Sequence, residues 1–113
     1  MPKARAGHLR SVGSVFENDV YLDFSVTKIV FRRHPETGKL RHLGEQILSA
    51  VSSPDYVFAG KYGENIAAEK IKVEFFKDRW LMVPYKEGGR INTAFIVSNI
   101  ERLIKGRFVL WKR

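Results

Sequence analysis

The feature that most constrains the fold is a change of hydrophobic period near Pro54. Before it, Leu40, Leu43, Ile47 and Val51 recur at i, i+3, i+7 and i+11, which is one face of a helix. After it the period falls to two: between Lys70 and Phe76, Ile71, Val73 and Phe75 alternate with Lys70, Lys72 and Glu74. A chain that is helical first and strand-rich afterwards buries both apolar surfaces by laying helices on an antiparallel sheet, the α+β arrangement. At 113 residues, a single domain with its own core is expected.

The elements follow in order. Val20–Phe24 alternates and predicts a short strand. Ser25 is placed to cap a helix in which Val26, Ile29 and Val30 share a face, with Arg32 and Arg33 in its last turn. Pro35 disfavours helix in the residue before it, so His34 should sit at the helix exit. Pro35–Gly38 reads as a turn, and a second helix spans about Leu40 to Ser52, stopped by Ser53-Pro54-Asp55. Tyr56–Phe58 opens a strand; Gly60 and Gly63 mark a turn; further strands are expected over Lys70–Phe76 and Trp80–Tyr85. Gly88-Gly89 signals a hairpin leading into Ile91–Val97, with Pro84 marking an edge or a bulge. Ser98 or Asn99 caps a short helix ending at Lys105-Gly106, and Phe108–Trp111 forms the last strand. Residues 1–14 are expected as a basic loose arm without the apolar core of a signal peptide, and residues 15–113 as one α+β domain.

The chain carries a formal charge of +8 and no cysteine. Absence of cysteine removes disulfides, thiolate catalysis and cysteine zinc sites, and fits a reducing, cytoplasmic setting. The surplus is uneven: 8 Lys+Arg against 6 Asp+Glu up to Tyr56, then 12 against 6. A basic, strand-rich half predicts a face that attracts a polyanion, with nucleic acid ahead of a membrane surface. No apolar run approaches the roughly 18 residues of a membrane span.

No cofactor or metal is expected, because phosphate-cradling, dinucleotide and His-Glu-x-x-His signatures are all missing. A metal set of His34, Glu36 and His42 is the weaker alternative. What remains suits attack of an RNA 2′-hydroxyl on its adjacent phosphate, which needs proton transfer and cations around the phosphorane. His34 can move the proton. Lys70 and Lys72 can neutralise charge, or simply solvate the sheet; Arg32 and Arg33 can hold an anion, or simply complement the helix dipole. Thr93 offers a hydroxyl beside the hairpin, or simply favours a strand, with Arg90 nearby. Tyr56, Tyr85 and Trp80 can stack on bases, although single strand aromatics are more often core.

Three short elements in this order resemble the phage-associated branch of the barnase–EndoU–colicin–RelE-like nucleases. They are Arg33-His34-Pro35-Glu36, then Ser53-Pro54-Asp55 after a helix, then Thr93-Ala94-Phe95. The resemblance spans roughly Val20 to Arg113 and implies two N-terminal helices packed on a roughly four-stranded antiparallel sheet. It further implies metal-independent RNA cleavage, with His34 catalytic, Thr93 binding phosphate and Lys70 stabilising the transition state. Arg32, Arg33, Lys72, Tyr85 and Arg90 would then bind substrate. The expected role is a toxin or effector of a mobile element or toxin–antitoxin pair, acting on free or ribosome-associated RNA. An acidic antitoxin or immunity protein would restrain it. The rival expectation is a non-catalytic RNA- or ribosome-binding module on the same fold.

Overall fold

The computed structural model describes residues 9–72 and 78–113. The chain opens with an antiparallel hairpin of β1 (Leu9–Gly13) and β2 (Asp19–Asp23). Val20 and Leu22 point inward from β2 and are fully buried, which fixes its register. The arm expected over residues 1–14 is corrected here: from Leu9 onward it is strand, paired through backbone hydrogen bonds to β2. Residues 1–8 lie outside the described ones.

Helix α1 (Val26–Arg33) buries Val26 and Val30, but Ile29 remains 37% exposed and does not share their face. Ser25 occupies the N-cap position without a side-chain cap bond. Instead Asp23 Oδ1 accepts the Ser25 N–H at 3.0 Å, and Thr27 Oγ1 donates to the Phe24 carbonyl at 2.7 Å. His34 ends the helix, its N–H bonded to the Val30 carbonyl at 2.7 Å. Pro35–Gly38, expected as a turn, forms one helical turn, α2, because proline suits a first helical position.

Helix α3 (Leu43–Ser52) starts three residues later than its hydrophobic period suggests. His42 adopts a left-handed conformation, φ 53°, which redirects the chain so that both Leu40 and Leu43 reach the core.

Five strands form the main sheet: β3 (Tyr56–Ala59), β4 (Asn65–Lys70), β5 (Trp80–Tyr85), β6 (Phe95–Val97) and β7 (Val109–Lys112). Their order is β6-β5-β4-β3-β7, antiparallel throughout. Helix α4 (Ile100–Gly106) lies between the two edge strands in sequence, so the connection crosses the sheet. The domain is therefore α+β, with one strand more than expected, a separate two-stranded hairpin and a fourth helix.

Two strand expectations need correction, and a third falls mostly outside the described residues. Of the strand expected over Lys70–Phe76, Lys70 lies at the end of β4 and the Ile71 N–H follows the same register to the Arg79 carbonyl at 2.9 Å; residues 73–77 lie outside the described ones. Pro84 sits in an internal strand, yet the β5–β6 ladder stops at Met82↔Phe95, before the residue that has no N–H to extend it. The strand expected from Ile91 consequently starts only at Phe95. Ile91 bonds instead to the Tyr21 carbonyl at 2.8 Å, fastening the hairpin to the sheet.

The sheet's two faces bury different clusters. Ala67, Leu81, Val83 and Tyr85 face the layer built from β2, α1 and α3. Phe58, Ile66, Ala68 and Met82 face the other way, toward Ile100, Leu103 and Ile104 of α4. Ser49 of α3 donates to Glu69 of β4 at 3.0 Å, and burial still raises that carboxyl above its ordinary value. Among the described residues, no helix is long and apolar enough to cross a membrane.

Candidate nucleic-acid interface

Strand alternation determines what the α4 side of the sheet displays. Reading across the register, Phe95, Met82, Ala68, Tyr56 and Lys112 stand opposite one another in a single row. The next row toward the sheet end holds Val97, Trp80 and Lys70. Helix α4 covers Phe58, Ile66 and Met82 but leaves Tyr56 and Trp80 half-buried.

The Tyr56 ring lies 5.8 Å from Trp80 and 5.7 Å from Phe58, nearly parallel to the latter. Lys112 places its Nζ 5.9 Å from the Tyr56 ring centroid, at cation–π distance. Around these rings Lys70, Lys72 and Arg113 line an open cleft of about 310 Å³. Among the described residues its single carboxylate, Asp55, accepts the Lys70 backbone N–H at 2.9 Å and pairs with Arg113 at 3.6 Å. Lys70, Lys72 and Lys112 form no ion pair among the described residues. Aromatic faces interleaved with cations match the chemistry of a nucleic-acid single strand, whose bases stack while its phosphates attract charge.

His34 joins this face at its β6 edge. Its ring lies 5.9 Å from that of Phe95, tilted by 41°. Two residues on, Glu36 pairs with Arg79, the neighbour of Trp80, so α2 is tied to the same end of the sheet. The carboxylate that sequence offered as a partner for His34 is thereby engaged by a guanidinium. Arg32 and Arg33 are exposed in the last turn of α1, beside the histidine.

The corner that carries His34 depends on Gly38. A Cβ there would come within 2.7 Å of the Phe31 Cα, which is backbone and cannot swing aside. Gly38→Ala is expected to destabilise the fold by about 1–3 kcal/mol, as overpacking does. Chemical denaturation measures it, and the His34–Phe95 contact should loosen in parallel.

The remaining predicted residues lie elsewhere. Lys70 pairs with Trp80 at one end of β4–β5, whereas Tyr85 pairs with Asn65 at the other, about 17 Å away at the usual rise per residue. Thr93, Tyr85 and Arg90 line a separate cleft of about 540 Å³ at that far end. The structure thus brings Lys70 and Lys72 together, and Thr93 with Arg90, but does not join Lys70 and Thr93 in one site. Tyr85 is corrected from a base-stacking residue to core: it is 2% exposed. Burial, with the Glu87 carboxylate second, pushes its hydroxyl well above the ordinary tyrosine value. Nearby, Glu87 accepts bonds from Ser14 (2.5 Å), Asn18 (3.1 Å) and Asn65 (3.0 Å), tying the hairpin to the sheet.

Thr93 Oγ1 is buried without a hydrogen-bond partner among the described residues, so it is out of reach of a phosphate in this conformation. An orphaned buried hydroxyl costs about 1–3 kcal/mol. Thr93→Val should therefore raise the unfolding midpoint while leaving RNA affinity unchanged; lost affinity would restore the phosphate-binding role.

Sequence reasoning did not single out Arg79, Lys112 or Arg113. The charge surplus of the second half was visible, but their positions beside Trp80 and Tyr56 come from sheet order. Among the described residues no group of three or more His, Asp or Glu is placed to hold a metal ion, so His34, Glu36 and His42 do not form one. Compared with known proteins, the chain matches no family model, no curated protein and no solved structure.

Proposed function

We propose that this chain binds single-stranded RNA along the sheet face bearing Tyr56 and Trp80 and cleaves it at His34, without a metal. The observation that carries the binding is the interleaving of those rings with Lys70, Lys72 and Lys112. The sequence resemblance to the barnase–EndoU–colicin–RelE-like nucleases supports the same fold type and the cleavage. So does the histidine at the rim of that face, held against Phe95.

In the proposed reaction the RNA 2′-hydroxyl loses its proton and its oxygen forms a bond to the adjacent phosphorus. The bond from phosphorus to the 5′ oxygen breaks, and that oxygen takes up a proton. The products are a 2′,3′-cyclic phosphate and a 5′-hydroxyl. His34 handles one of these protons, while Lys70 and Lys72 attract the backbone that leads to it. A toxin or effector role restrained by an acidic partner belongs to the same proposal, because a +8 surface favours such a partner.

The separation of Lys70 from Thr93 favours a second reading, a non-catalytic RNA-binding module on the same face. Titrating a labelled RNA decamer at several salt concentrations tests the binding shared by both. Three phosphate contacts predict a log–log salt slope of about −2 for a single strand. Equal or tighter binding to duplex RNA, or no salt dependence, would count against this face as the site. Incubation with EDTA then separates the readings, since only the nuclease consumes the strand.

A further inference from the structure

Beneath α4, next to Phe95, lies a cleft of about 450 Å³ that the RNA track alone does not explain. Its floor is apolar: Ile66 and Met82 from the sheet, Leu103 from the helix. Its rim carries Ser98, Asn99, Arg102 and Arg107. An apolar slot beside an aromatic ring suits the plane of a nucleobase rather than a phosphate, and its volume accommodates one.

The rim is rich in donors. Asn99 caps α4 with its side-chain oxygen, which accepts the N–H groups of Glu101 (3.1 Å) and Arg102 (3.4 Å). That engages the acceptor and fixes the amide, leaving the Nδ2 group as donor only. Arg102 is exposed and forms no ion pair among the described residues. Arg107 stands close enough to Glu64 to help hold that carboxyl below its ordinary value, after the backbone N–H groups of Glu64 and Tyr62. Arginine has donors and no acceptor. Asn99, Arg102 and Arg107 therefore offer donors alone, and the Ser98 hydroxyl can donate to the same ligand acceptors.

Resting on the RNA-binding reading, we propose that the cleft beneath α4 takes one base of the bound strand and selects keto bases, guanine or uracil, over amino bases. At the exocyclic position that distinguishes them, guanine O6 and uracil O4 are acceptors that these donors can reach, whereas adenine and cytosine place an amino donor there and offer acceptors only at other ring positions. The selecting residues are Asn99 and Arg102, and neither belongs to the cleavage step.

The test uses oligoadenylate decamers with one central guanine, uracil or cytosine, and the plain decamer, measured against the whole protein by fluorescence anisotropy. The wild type should bind the guanine and uracil strands about 5-fold or more tightly than the other two, the low end of one good base contact. Asn99→Asp retains the capping oxygen, since aspartate caps as well as asparagine, but replaces the donor with an acceptor. It should abolish or reverse the preference while the thermal midpoint stays near wild type. Arg102→Ala should flatten the preference with little change in affinity for plain oligoadenylate. Binding without base preference, or a preference that survives both substitutions, overturns the keto-selective cleft and leaves RNA binding standing. Absence of binding to all four strands overturns the function reading, and this inference with it.

Discussion

Replacing His34 with alanine is expected to slow RNA cleavage by about 10²–10⁴-fold, the usual contribution of a positioned proton donor or acceptor. RNA affinity should change less than about two-fold, because the cleft proposed to hold the strand is lined by Tyr56, Trp80, Lys70, Lys72 and Lys112 and not by His34. The expected split arises from placement. His34 is half-buried at the exit of α1, its orientation set by the turn into Pro35 and by the Phe95 ring, and its backbone is fixed by the Val30 bond. Loss of its imidazole removes the Phe95 contact but leaves the Val30 bond and the turn into Pro35 intact, so the midpoint of unfolding should move little. His34→Gln is the companion variant: it retains a polar side chain but cannot exchange a proton near neutral pH, and should be as inactive as alanine. A glutamine variant with near wild-type cleavage would reduce the histidine to a packing role.

The second large effect concerns the aromatic pair. Tyr56→Ala and Trp80→Ala should each weaken single-stranded RNA binding by about 1–3 kcal/mol, roughly 5- to 150-fold, if each ring stacks on one base. Both rings also pack against the sheet, so truncation carries a stability cost as well. Tyr56→Phe and Trp80→Phe separate the two effects. They keep a π-face and most of the packing and should bind within a few-fold of wild type. Affinity that falls with ring removal but not with ring exchange identifies stacking; affinity indifferent to both moves the strand elsewhere. Because Tyr56 and Trp80 are in contact, their effects should be non-additive.

What sequence revealed of this fold divides along physical lines. The exit of α1 at His34 was legible because proline constrains its neighbour regardless of tertiary context. The buried face of α3 was legible because Leu43, Ile47 and Val51 repeat with the helical period, and Asn99 at the start of α4 because capping is local. Strand β4 was not. Asn65-Ile66-Ala67-Ala68-Glu69 has one β-branched residue, Ile66, and no aromatic to advertise a strand, and its Ala67 and Ala68 are small and fully buried beneath layers on both faces. The stronger alternation just after it, most of which lies outside the described residues, drew the expectation away from residues 65–69. Tertiary packing overrode local preference there.

The candidate site divides in the same way. His34, Lys70 and Lys72 could be chosen by chemistry alone. That Lys112 would stand over Tyr56, or that Arg79 would bring α2 to the Trp80 end, depends on which strands are neighbours. Tyr85 shows the converse. Its residue type fitted a stacking role, but strand alternation turned it toward α3 and the core. Thr93 sits in the motif that carried the resemblance, yet its hydroxyl is enclosed at the opposite end of the sheet from Lys70. Any catalytic contribution from it would require that end of the face to open.

We propose that one sheet face both holds RNA and delivers it to His34. End-group analysis of RNA incubated with the whole protein in EDTA tests it most directly, with a matched strand carrying 2′-deoxy positions and, in parallel, translating ribosomes. The account predicts 2′,3′-cyclic phosphate and 5′-hydroxyl ends from the ribose strand or the ribosome-bound message, none from the deoxy strand, and none from His34→Ala. Intact RNA in every arm, or cleavage indifferent to the 2′-hydroxyl and to His34, would contradict it.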